Sequence, residues 1–514
     1  GIAEAVAQTI TEPRFLIYWF QEGGWDGYCM FNPVDTTNDA TRVIPAGTLN
    51  PSPSWSAHRY RPINYGNTAA VFRPKTQGNI PYGHLANDGL SLFPDLAVVA
   101  SHYGNTFHSG GRWDYHYGKY NHSLSATRAP DERTVLQAFC EQYGQSFLLP
   151  HISWHRWLSD GELSTPSYPE GTGYYEKLGP AWAHTIYGKT PADLRSRLLA
   201  ISNISAGARD ARIRQFTDNL HSNFIKDKNS QAVAAFASAV QIHKASLGNT
   251  TPISPNQLFN SAALRSEFNV QPGDENTDST SVNGNPARSK ETPNTNVQAM
   301  MTYELMTQGI SCGFFIESRD IRGFDTHRNR SSIMAAGGQS DQLNDMKKNL
   351  WQPLTTLVNK LKNTPYGSSG KSYWDLTTIV LASEMGRTLQ GDVDSILSGS
   401  DTDSVKYQAI MDQDCCQHWK VSSVAFLGGT VQGNRSYGRV GTSSLDAIPI
   451  MPDGTLDPAY DPVTGVLKSG ATKSPNSYIS DCGNVYATAL ALTGINPTGK
   501  GKNTSPAMDF IKKP

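Results

Sequence analysis

Residues 376–388 read LTTIVLASEMGRT. Eight residues without polar alternation, rich in β-branched and aliphatic side chains, describe a strand buried on both faces, the kind found in parallel sheets covered by helices. The run ends abruptly in Glu384, Gly386 and Arg387, so a strand delivers charge at its carboxyl end. Four more apolar runs have the same build. RFLIYWF (14–20) runs into QEGGWDG. DLAVVAS (95–101) runs into HYGNTFHSGGRWDYHYGKYNHS. SCGFFIES (311–318) runs into RDIRGFDTH, and VSSVAFLGG (421–429) follows DCCQHW. Segments of helical period separate them. DQLNDMKKNLWQPLTTLVNKLK (341–362) puts Leu343, Met346, Leu350, Leu354, Leu357 and Leu361 on one face, with a kink expected at Pro353. NVQAMMTYELMTQ (296–308) and PADLRSRLLAI (191–201) read as helices, as does the Ala-rich stretch 230–246. The fold class expected is α/β: a doubly wound, mostly parallel sheet with helices on both faces.

In such sheets ligands bind beyond the carboxyl ends of the strands. Asp26, Asp325, His327 and Glu384 all fall just past a strand end, and His418 arrives from a distant segment. Carboxylate and imidazole are hard-to-borderline donors that suit Zn, Mn, Ca or Mg. Asp325 and His327 are two apart, so an extended loop turns both to one face. Asp26 lies in GGWDG, where glycines allow a tight turn. Each has a blander reading: a turn-forming Asp, a packing His, a surface Glu–Arg pair. Only the joint pattern favours a shared site. Arg387 either pairs with Glu384 or clamps an anionic substrate. His102, His108, His116 and His122 alternate with Tyr and Trp, which suits a cleft lining and polar packing equally. Trp25, Trp113 and Tyr115 would suit a sugar ring or the core.

Totals narrow the function classes. The 514 residues carry 44 Lys+Arg against 45 Asp+Glu, a net charge of −1. No basic footprint for nucleic acid or an anionic membrane follows from that balance, and no apolar run is long enough to span a bilayer. Only 17% of residues are charged, with 45 Gly, 30 Pro and 22 Tyr, a polar but uncharged habit common in exported proteins. Gly1 as first residue is compatible with a removed export signal. Six cysteines (Cys29, Cys140, Cys312, Cys415, Cys416, Cys482) permit up to three bridges, including a vicinal Cys415–Cys416 pair, or buried free thiols. The organisation expected is a single domain over 1–514. Within it, 160–295 forms a helical insertion with a long polar loop, and turns are expected at Pro452-Asp453-Gly454 and Pro462-Val463-Thr464-Gly465.

Taken in order, FLIYWFQEGGWDG, GFDTH, LASEMGRT and QHWKVSSVAFLGGTVQGNRSYG resemble an exported bacterial family, the domain of unknown function 1501, placed in the alkaline phosphatase and sulfatase superfamily. The resemblance implies an alkaline phosphatase-like sheet, export by the twin-arginine route, and a metal site at the strand ends. It puts Asp26 at the first-strand metal position, Asp325, His327 and His418 around one divalent metal, and Glu384 at a second. It implies hydrolysis of small anionic phosphate or sulfate esters. Two departures stand out. Met385 occupies a place where the superfamily has an imidazole, and the family's Asp-His pair is stretched to Asp414…His418. The nucleophile implied is Ser123, with Ser109 as the alternative, and Arg387 would bind the anion. The rival expectation is a degenerate member acting in surface assembly or glycan binding, with an oligomer possible. A third is a redox protein using Cys415 and Cys416.

Overall fold

The structure, a computed structural model, describes residues 12–21, 23–25, 27–33, 43–44, 58–59, 75–106, 108–118, 133–144, 147, 149–154, 186–187, 190–202, 257–272, 274–275, 293–318, 346–387, 418–500 and 505–514. All five apolar runs form strands of one sheet: β1 (Phe15–Gln21), β2 (Ala97–Tyr103), β5 (Gly313–Ser318), β6 (Thr377–Ser383) and β9 (Val421–Gly428). Three short strands complete it: β3 (His151–Ser153), β4 (Ile186–Tyr187) and β10 (Arg435–Tyr437). The spatial order is β10-β2-β9-β6-β1-β5-β3-β4. β1 lies at the centre, parallel to β6 from Phe15↔Thr377 to Gln21↔Ser383 and parallel to β5 on its other side. β9 runs antiparallel to both β6 and β2; the other pairings are parallel. The fold is therefore α/β with a mostly parallel, mixed sheet.

Reversal of β9 matters for function. Its amino end, at Val421, comes to the edge where β1, β2 and β6 have their carboxyl ends. A segment preceding β9 can thus reach the same place as segments following the others.

Every residue of β1, β6 and β9 is buried, so both faces of the sheet centre are covered. Two groups of helices do this. One is α1 (His108–Tyr117), α2 (Val135–Tyr143) and α6 (Cys482–Leu492); the other is α4 (Thr295–Thr307) and α5 (Gln352–Asn363) with the 3-10 segment 84–95. The apolar stripe read from sequence is buried at Met346, Leu350, Leu354, Leu357 and Leu361; Leu343 lies outside the described residues. Pro353, which has no N–H to give, is the second residue of α5, which continues directly from the helical turn before it. The distortion falls just before it, as a wide π turn over Lys347–Trp351. Trp351 anchors that turn, fully buried with its indole N–H donating to Leu85 O at 2.7 Å. Helix α6 starts at a capping box in which the Asp481 carboxylate accepts from the N–H groups of Gly483 and Asn484.

Within the stretch expected as an insertion, Pro191–Ser202 is helical (α3), and Ile186–Tyr187 pairs with β3 to extend the main sheet. The Ala-rich stretch 230–246 lies outside the described residues. Both expected turns near the C-terminus form, with Gly454 and Gly465 at φ 84° and 72°. The excursion they belong to is tied together by Asp457. Its carboxylate accepts from Ala459 N at 2.9 Å, Ser474 N at 2.9 Å, Ser474 Oγ at 2.5 Å and Ser477 Oγ at 2.6 Å. Burial pulls the Asp457 pKa upward, but these hydrogen bonds outweigh it and hold the carboxyl down at about 2. A depressed folded-state pKa stabilises above the unfolded value, near 4. The contribution is lost as pH falls from there through 2. Asp457→Ala is expected to lower stability by about 2–4 kcal/mol at pH 7 in urea denaturation. The deficit should shrink towards pH 2.

Candidate functional site at the carboxyl edge of the sheet

The turn after β1 is built by two successive glycines with positive φ, Gly23 at 103° and Gly24 at 75°. A side chain on Gly24 would strike Met385 Cγ at 2.5 Å and crowd Arg387 Nε at 3.2 Å. The residues after β6 are packed directly onto this turn. Gly23 N donates to Glu384 Oε1 at 2.7 Å, and Trp25 N donates to Ser383 Oγ at 3.0 Å. From the other side Arg387 Nε donates to the carbonyls of Gly23 and Gly24 at 3.1 and 3.2 Å, and Nη2 also donates to Gly23 O. Gly23 is thus gripped at both its N–H and its C=O.

Both flanks of Asp26 are anchored. On one side, Trp25 Nε1 donates to Ser422 Oγ at 3.1 Å. On the other, Tyr28 OH donates to Leu445 O at 2.7 Å and accepts from Trp419 Nε1 at 3.0 Å, while Asn32 Nδ2 donates to Ser422 O at 2.8 Å. Tyr28, Trp419, Val421, Val440, Leu445 and Ala447 form a small apolar cluster of their own. Asp26 itself lies outside the described residues, but its neighbours pin the turn to the end of β6 and the start of β9.

Two short strands bring in the distal histidine. β7 (Gly386–Arg387) pairs antiparallel with β8 (His418–Trp419), with Arg387 opposite His418 and Gly386 opposite Trp419. The backbone of His418 therefore stands beside that of Arg387. Asp325 and His327 lie outside the described residues, as do Asp414, Cys415 and Cys416. Asp325 and His327 follow β5, which ends at Ser318 on the same sheet edge.

Glu384, Met385 and Arg387 are all fully buried. Ser383 Oγ lies 3.2 Å from Glu384 Oε2. Met385, in the place of an expected imidazole, packs against Gly24. Arg387 makes contacts that neither sequence reading foresaw, with peptide carbonyls of the first turn. The two adjacent glycines of QEGGWDG are the sequence signal for such a close approach.

The loop after β2 closes the other side. Asn105 N donates to Glu384 O at 2.8 Å, and Gly104 N to Lys420 O at 2.7 Å. Helix α1 begins immediately afterwards, at His108–Ser109. Its Gly111 packs so closely that a Cβ there would lie 2.5 Å from Glu384 Cβ. Ser109 stands two residues earlier in α1; Ser123 and His122 lie outside the described residues.

The histidine-rich stretch resolves towards packing at two positions. His102 Nδ1 lies 2.9 Å from Ser480 Oγ and Nε2 2.6 Å from Tyr115 OH. Burial holds its pKa down at about 3, so the ring is neutral. His116 stacks on Phe315 with ring centroids 4.2 Å apart. Trp25 and Tyr115 are core residues with no exposed surface.

Among the described residues no three His, Cys, Asp or Glu side chains converge, and no helix is long and apolar enough to cross a membrane. Four of the five metal candidates lie in segments or side chains beyond that description.

Comparison with known proteins adds the family. No curated protein matches the chain. A solved structure titled "Crystal structure of Ps i-CgsB" is 10% identical with a TM-score of 0.37, covering 97% of this chain and 76% of its own; so weak a likeness carries no argument. The model of the family described as "Protein of unknown function (DUF1501)" matches residues 148–448, more than half the chain and including β6, Glu384, Arg387 and His418. The chain belongs to the DUF1501 family.

Proposed function

We propose that this is a metal-dependent, hydrolase-like protein of alkaline phosphatase type, exported, acting on phosphate or sulfate esters at the carboxyl edge of its sheet. The observation that carries this reading is the convergence of three separately encoded segments. The anchored flanks of Asp26, the buried Glu384 carboxylate and the backbone of His418 meet within one hydrogen-bonded unit. The donor set is oxygen and nitrogen, which fits Zn, Mn, Ca or Mg and needs no thiolate. Asp325, His327 and His418 would hold one ion, with Asp26 at the first-strand position and Glu384 at a second. A divalent cation there would supply Lewis-acid stabilisation of charge on the transferred group.

The chain's own residues have distinct parts. Gly23 N–H keeps one Glu384 oxygen oriented. Arg387 fixes the turn that carries Asp26, and so acts by positioning. Ser123 stands as the nucleophile that the family resemblance implies, with Ser109, at the first turn of α1, as the alternative. A hydroxyl at the first turn of a helix gains from the positive end of the macrodipole, which favours its ionised form.

Elemental mass spectrometry of protein purified without chelator tests the metal. About one or two equivalents are expected, falling at least about tenfold in His418→Ala and in Asp325→Ala. Against a panel of aryl phosphates and sulfates, Ser123→Ala is expected to abolish turnover and Ser109→Ala to spare it. A folded, metal-free wild type would remove the hydrolase reading and leave assembly or glycan binding as the role.

A further inference from the structure

We propose that Cys140 and Cys312 are a latent disulfide pair, a redox modification site on the face of the sheet covered by α2. The two thiols come from segments 172 positions apart in sequence, one from the body of α2 and the other just before β5. Both are fully buried and both are free thiols in this structure. They converge on a single acceptor: Cys140 Sγ lies 3.6 Å and Cys312 Sγ 3.5 Å from the carbonyl oxygen of Pro150. The residue after Cys312 is a glycine, which leaves room for the Cys140 thiol beside the strand. A Cβ on Gly313 would lie 2.9 Å from Cys140 Sγ. The backbone at Gly313 and Cys312 N both bond to the same Pro150 carbonyl, so the arrangement is held from three sides. Burial raises the Cys312 pKa well above its usual value, and the neighbouring Cys140 thiol raises it further.

A buried thiol pair has low thiolate content, so the folded, reduced protein resists both alkylation and exchange. The bond forms when the pair is open to solvent, during folding or sub-global opening. One thiolate attacks the disulfide of a low-molecular-weight oxidant such as oxidised glutathione, giving a mixed disulfide and releasing one thiol. The second cysteine thiolate then attacks the protein sulfur of that mixed disulfide, and the second glutathione thiolate leaves. Two electrons pass to the oxidant, and the two protons lost by the cysteines end on the two released thiols. The resulting bridge ties α2 to the amino end of β5, the strand beside β1, independently of any metal site.

The test is refolding of the full chain from guanidinium in a glutathione redox buffer, followed by alkylation under denaturing conditions and peptide mapping. The expected product is a Cys140–Cys312 cross-linked peptide in most molecules, with a mass about 2 Da below the sum of its thiol forms. Cys140→Ser should leave Cys312 alkylated and the cross-link absent, with a melting midpoint several degrees below that of oxidised wild type. Wild-type mapping does not depend on that variant folding. Separate alkylation of Cys140 and Cys312 after oxidation, or a bridge from either one to another cysteine, would overturn the pairing.

Discussion

Gly386→Ala is expected to leave little folded protein. A Cβ at this position would sit 1.8 Å from Val421 O and 2.8 Å from Val421 C. These are backbone atoms of the first residue of β9, which is itself paired with Tyr103 of β2. They cannot rotate away as a side chain would. Gly386 is held in turn by its pairing with Trp419. Relief requires β7 to separate from β9, and that would pull Arg387 from the Gly23–Gly24 turn. The cost expected is above about 4 kcal/mol, in the range reserved for overpacking against an immovable element. A suitable reference is Gly309→Ala. Gly309 has a positive φ of 65°, but a Cβ there would meet nothing within 4 Å, so only backbone strain of about 1–2 kcal/mol applies. Urea midpoints of the two variants make the comparison. Equal midpoints would mean that β7 does not approach β9 as closely as described.

The same region shows what a sequence can and cannot reveal. The five long strands were legible because uninterrupted apolar runs such as LTTIVLAS have no other comfortable place than a doubly covered sheet. That same burial on both faces hides direction. VSSVAFLGG is as apolar as its neighbours, and nothing in it says that β9 runs against them. β3 and β4, three and two residues long, are too short to carry a period. Glu384 was readable as a strand-end carboxylate. The partners of Arg387 were not, because peptide carbonyls 363 and 364 positions away leave no trace in side-chain chemistry. Glycines at 23 and 24 were the available clue. His102 was ambiguous for a related reason: whether an imidazole lines a cleft or packs depends on Ser480, which only the fold brings near. The Cys140–Cys312 proximity is equally a product of topology, since spacing alone allows fifteen pairings among six cysteines.

Arg387→Met carries the second large effect and separates two roles for this residue. Methionine replaces much of the buried aliphatic volume but none of the donors. The carbonyls of Gly23 and Gly24 would lose their bonds from a guanidinium in a site without exposed surface. Hydrogen bonds from charged donors are individually worth about 1.5–3 kcal/mol. Breaking a buried charged arrangement costs about 3–5 kcal/mol, and that loss is expected in urea denaturation. Arg387→Lys should recover part of it, because an ammonium keeps the charge but lacks the planar fork that serves two adjacent carbonyls. The turn would then be held at Gly23 only through its N–H to Glu384, and the flank of Asp26 would loosen. Metal content should fall with stability, in Arg387→Met more than in Arg387→Lys, although neither variant removes a proposed ligand. A clamp on a substrate anion would behave differently. Its loss would raise KM for the ester while leaving the urea midpoint and metal content near wild type. If Arg387→Met gave that second pattern, the guanidinium would belong to the substrate and the Gly23–Gly24 contacts would be incidental. If it gave the first, the arginine of LASEMGRT would be part of the frame that holds the first-strand turn in place, and anion binding would have to come from another group.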